Sequence, residues 1–113
     1  MKKFLFLSLL LSILFTAVKG QGDSTAHFKV YGNCESCKAR IEKAAKAGGA
    51  SKAEWNVDSK MMEVSFNPSK TSSDKIQQKI ASVGHDTEKF QSLESSYNKL
   101  PGCCKYEREE KIH

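Results

Sequence analysis

Cys34 and Cys37 stand with two residues between them in "YGNCESCKARIEKAAK", and a helix-like pattern begins directly behind them. Two thiolates at this spacing, one on a loop and one in a first helical turn, can converge on a single ion. The positive end of a helix N-terminus favours the thiolate form, which is the form that binds soft metals. Lys38 and Arg40 add local positive charge. A two-thiolate site suits d¹⁰ ions that accept low coordination, such as Cu(I) or Hg(II), whereas zinc prefers four ligands. The same pair could also be a disulfide or a redox couple. A second pair, Cys103 and Cys104, lies near the other end of the chain after a Pro101-Gly102 break. Adjacent cysteines staple each other poorly, and Cys34–Cys37 closes too small a loop to constrain the unfolded chain. The spacings therefore fit ligands or redox thiols better than a scaffold.

The elements that must position these thiols are legible from periodicity. Ala26, Phe28 and Val30 alternate with polar neighbours as a half-buried strand. Cys37, Ile41, Ala44 and Ala45 recur at helical spacing, and Gly48-Gly49 ends that helix. Ala53, Trp55 and Val57 alternate, Asp58-Ser59 reads as a hairpin turn, and Met62, Val64 and Phe66 continue as the partner strand. Core packing accounts for Met62, with Met61 on the exposed side, and Trp55 reads as a core or edge aromatic. Ile76, Ile80 and Val83 form a second helical stripe, capped from Thr71, Ser72 or Ser73. A last strand is expected over about residues 85–90, and a short helix over about 92–100. The order β-α-β-β-α-β predicts an α+β, ferredoxin-like fold, an antiparallel four-stranded sheet with both helices on one face.

CxxC between a first strand and a first helix of this pattern is a specific signal, and here a family becomes recognisable. From about residue 27 to 90 the chain resembles the heavy-metal-associated domain. The matching stretches are "CESCKARIEKA", Val57-Asp58, "VSFNP" and "IASVGHD". The resemblance implies soft-metal binding by Cys34 and Cys37 and hand-over of the ion by thiolate exchange. It also implies partners such as a membrane metal transporter or another metal-binding domain. The family usually carries a non-ligating Met two residues before the first Cys, preceded by Gly; here Gly32 and Tyr31 fill those positions. His85 opens the expected last strand, in a loop that the fold places beside the CxxC loop, and is a candidate to ligate or tune the site. Cys103 and Cys104 are candidates for the same site, one binding and the other assisting or exchanging; a disulfide from this pair to the CxxC, or a free surface pair, is the alternative. His27, on an outward strand face, and the terminal His113 carry no functional expectation.

Lys2 and Lys3 followed by an almost wholly apolar run from Phe4 to Val18 have the form of a secretory signal peptide ending near Gly20. The run is short for a bilayer, which needs about 20 apolar residues. The expected organisation is a signal over 1–20, a metal-binding domain over 21–90 and an extension over 91–113, giving an exported, periplasmic monomer. The 18 basic and 13 acidic residues fall to 15 against 13 once Lys2, Lys3 and Lys19 are set aside. No basic stretch with interleaved aromatics remains, so nucleic-acid binding is not expected. No nucleophile–base pair stands out beyond the thiols, and the redox arrangement with a nearby cis-proline has no suitably placed Pro. The expected function is that of an exported binding protein for a soft heavy-metal ion, Cu(I) first, with Hg(II) and Zn(II) as further candidates. A thiol–disulfide oxidoreductase or a disulfide-containing structural domain is the alternative.

Overall fold

A computed structural model describes residues 22–108; the signal-like segment 1–20 and His113 lie outside them. The elements in chain order are β1 (Ser24–Lys29), α1 (Glu35–Ala47), β2 (Ala50–Trp55), β3 (Met61–Phe66), α2 (Ser73–Ser82), a short α3 (Glu94–Asn98) and a 3-10 turn (Gly102–Cys104). The three strands form an antiparallel sheet in the order β1-β3-β2. Register follows from the period-2 pattern. Phe28 pairs with Met62 and Ala26 with Val64 across β1–β3, and Trp55 meets Met62 from the other side, so apolar side chains gather on one face. Helix α1 turns Cys37, Ile41, Ala44 and Ala45 onto that face and packs against β2 and α2, which contributes Ile76 and Ile80. Met62 is buried and Met61 exposed, as the alternation requires.

One expected element is corrected. Among the described residues the sheet has three strands, and residues 85–90 form no fourth. They meet the edge of β1 at a single antiparallel bridge, Val30 with Thr87, framed by Tyr31 N–H to Asp86 O and Glu88 N–H to Lys29 O, both 2.9 Å. The cause is local. Thr87 N–H, which faces away from β1, donates to Phe90 O at 2.7 Å, and Phe90 N–H donates to Thr87 Oγ1 at 3.0 Å, closing a turn just past Glu88 in place of a continued ladder. The chain therefore reverses early, and residues 91–108 come back over the end of the molecule that carries α1's N-terminus. Leu100, Cys104 and Tyr106 join the hydrophobic core from this extension. Among the described residues no helix is long and apolar enough to cross a membrane.

Candidate metal centre

Cys34 is the N-cap residue of α1, with extended backbone, and Cys37 lies in the helix's first turn. Their Sγ atoms are 3.7 Å apart. The 3-10 turn brings a third sulfur to them. Cys34, Cys37 and Cys104 place their Sγ atoms within 4.8 Å of one another, and among the described residues this is the one group of three or more potential protein ligands that meets that distance. All four cysteines are free thiols. Cys37 and Cys104 are buried, Cys34 is half-buried and Cys103 is exposed. Adjacent residues in a tight turn point apart, so Cys104 faces inward while the Cys103 sulfur sits 3.9 Å from the Cys104 sulfur on the outer side.

Polar groups of α1 and of the loop before it tie the sulfurs together. Ser36 Oγ lies 3.0 Å from Cys34 Sγ, 3.2 Å from Cys104 Sγ and 3.5 Å from Cys103 Sγ. Arg40 Nη1 donates to Cys104 Sγ at 3.2 Å, and Asn33 N–H donates to Cys37 Sγ at 3.5 Å. These contacts divide the thiols by acidity. The Ser36 hydroxyl, with the Cys37 backbone N–H behind it, pulls Cys34 down to about 6. Burial pushes the Cys37 thiol up to about 11. Burial also pushes on Cys104, but hydrogen bonds from Cys37, Ser36 and Arg40 outweigh it, leaving that thiol below its ordinary value. The cluster thus offers one half-buried thiolate to capture an ion and two buried sulfurs to enclose it.

Gly32 lies where the loop before Cys34 crosses the core. A Cβ there would come within 3.1 Å of the Trp55 ring and 3.2 Å of Cys37 Cβ and Ile41 Cδ1. The wholly buried Trp55 fills this space from β2 and fixes its ring by donating Nε1–H to Val30 O at 3.0 Å. An indole from the sheet therefore supports the loop at a glycine position.

His85 lies beside the loop but not with the sulfurs. Its ring is fully buried, Nδ1 is 2.8 Å from Tyr31 O, and the ring stacks on Tyr106 with centroids 5.7 Å apart. Nε2 is buried with no partner in the structure. Burial, chiefly, outweighs the Tyr31 carbonyl and Asp86 and, with the charge of Arg40, holds the imidazole below its ordinary value. His27 is exposed and pairs with Glu63 at 2.8 Å on the open face of the sheet. Sequence reasoning missed Ser36 and Tyr106. Ser36 carries no signal beyond lying inside the CxxC, and Tyr106 none beyond being an aromatic two residues past the Cys-Cys pair.

Comparison with known proteins agrees with this geometry. The family description "Heavy-metal-associated domain" matches residues 32–86. No curated protein matches the chain. Among solved structures, a CopZ metallochaperone is 26% identical over 57% of this chain and 98% of its own, with a TM-score of 0.54. Oxidized MerP from Ralstonia metallidurans CH34 is 26% identical over 59% of this chain and 96% of its own, with a TM-score of 0.55. The N-terminal domain of a potential copper-translocating P-type ATPase from Bacillus subtilis, solved in its Cu(I)-loaded state, is 25% identical over 58% of this chain and 85% of its own, with a TM-score of 0.54. In each case the likeness leaves some two-fifths of this chain uncovered.

Proposed function

We propose that the chain, whose residues 32–86 match the heavy-metal-associated domain, is an exported member of that family that captures a soft metal ion at Cys34 and Cys37. Cu(I) is the leading ion, with Hg(II) and Zn(II) as further candidates, and the ion is either held or passed on by thiolate exchange. The observation that carries this reading is the 3.7 Å separation of the two sulfurs at the N-terminus of α1, with one thiol half-exposed and the other buried. The Cu(I)-loaded ATPase domain supports the choice of ion. In the exchange, a thiolate of an acceptor bonds the ion as the Cys34–metal bond breaks; the ion keeps its charge and no electron moves. A membrane transporter, or another domain of this family, is the kind of acceptor that such chemistry serves. Element analysis of protein loaded under reducing conditions tests the proposal. One ion per chain is expected, and a chain that stays metal-free with its thiols reduced would contradict it.

A further inference from the structure

Resting on that reading of Cys34 and Cys37, we propose that residues 91–108 form a strap that docks Cys104 onto the pair as a third thiolate ligand. The strap makes the centre a three-sulfur site that retains its ion. A metal–sulfur bond of about 2.3 Å sets sulfurs about 4.0 Å apart around a trigonal ion and about 4.6 Å apart across a linear one. The Cys34–Cys37 separation of 3.7 Å is too short for a linear ion and close to the spacing of a trigonal or a tetrahedral one (about 3.8 Å for the latter), and Cys104 brings a third sulfur within 4.8 Å of both. No fourth protein ligand joins the three sulfurs among the described residues, so the arrangement is not that of a closed tetrahedral site. Arg40 touches Cys104 Sγ and lies where it offsets the negative charge of several buried thiolates. When the ion binds, Cys37 and Cys104 bond it as thiolates, and the proton each thiol carried goes to water.

The strap is held by contacts that do not involve the sulfurs. Tyr106 is buried, donates its hydroxyl to Gly84 O at 2.8 Å and accepts from Asp86 N–H at 2.8 Å. Its ring stacks on His85 and meets the Tyr97 edge. Arg108 forks onto Asp86 through Nε at 3.0 Å and Nη2 at 2.9 Å, and also donates to Ser92 O at 2.7 Å. Leu100 covers Gly84 on the other side of the Cys-Cys turn. Cys104 is thus pinned from both directions, which a surface tail with an incidental cysteine would not require. Asp86 and His85, which close the matched family segment, are the residues that receive the strap.

The test uses the full chain loaded with Cu(I), read by X-ray absorption and by competition with a chromogenic Cu(I) chelator. Wild type is expected to show three sulfurs. Cys104→Ser is expected to show two and to bind at least tenfold more weakly; Cys104→Val, which refills the buried space, replaces it if the serine variant does not fold. Tyr106→Phe/Arg108→Ala keeps every cysteine and is expected to lose at least threefold in affinity together with part of the third sulfur signal. Wild-type affinity and an unchanged sulfur count in the Cys104 variant would overturn the third ligand. Three sulfurs and wild-type affinity in the Tyr106/Arg108 variant would overturn the strap. Undiminished binding by Cys34→Ser/Cys37→Ser would instead overturn the reading on which both rest.

Discussion

At the scale of single residues, the closeness of Cys34 and Cys37 was legible from their spacing together with their place between a strand and a helix, because a loop–helix junction fixes where both side chains go. Which member of Cys103–Cys104 turns inward was not legible, since it depends on the 3-10 turn and on Leu100 and Tyr106 packing around it. The acidities of the pair give a pH prediction. Cys34 is held near 6 by Ser36 and the Cys37 N–H, so its thiolate predominates above that pH, whereas Cys37, held near 11 by burial, stays protonated. Alkylation of Cys34 by iodoacetamide, followed residue by residue by mass spectrometry, should rise through about pH 6 and then level off. Cys37 should stay unreactive at pH 8. Ser36→Ala should move the Cys34 inflection upward; a wild-type inflection near the ordinary thiol value of 9.0 would contradict the assignment. Gly32 supplies a second prediction. Restoring the family's Met there forces a side chain against Trp55 and Ile41, so Gly32→Met should cost about 1–3 kcal/mol in urea unfolding, as overpacked cores do.

At the scale of elements, three strands and two helices were readable because each keeps one period over at least six residues. The expected fourth strand was not, because "HDTEKF" looks like a strand until Thr87 closes its turn on Phe90. The result is a shorter path back to the metal end, which a full strand followed by a helix would have lengthened. Gly84 shows how α2 is joined to the returning chain. Its φ of +109° is one that side-chain-bearing residues rarely adopt, and a Cβ there would come within 2.9 Å of Leu100. Gly84→Ala should therefore lower stability by roughly 1–3 kcal/mol. It should also loosen the extension, seen as faster limited proteolysis within residues 91–108 while α1 and the sheet stay protected. Equal cleavage rates in variant and wild type would show that the extension does not lean on this glycine.

At the scale of the whole molecule, sequence periodicity faded beyond Gln91, yet the extension completes both the core and the sulfur cluster. Its aromatic anchor, Tyr106, packs on the buried ring of His85. Burial, chiefly, and Arg40 lower the His85 pKa, while the Tyr31 carbonyl and Asp86 oppose them. The unfolded chain therefore takes up a proton below about pH 6.5 that the folded chain resists, so this contribution is present above that pH and is lost as pH falls. The urea midpoint should drop between pH 7.5 and 5.5, and His85→Gln should drop less; equal losses would place the acid sensitivity elsewhere. The central claim is that Cys34 and Cys37 make this chain a soft-metal binder, and competition for Cu(I) against a chromogenic chelator under reducing conditions tests it most directly. Wild type should strip the chelator, and Cys34→Ser/Cys37→Ser, folded by circular dichroism, should bind weaker by orders of magnitude. Equal affinity in the two proteins would contradict the account.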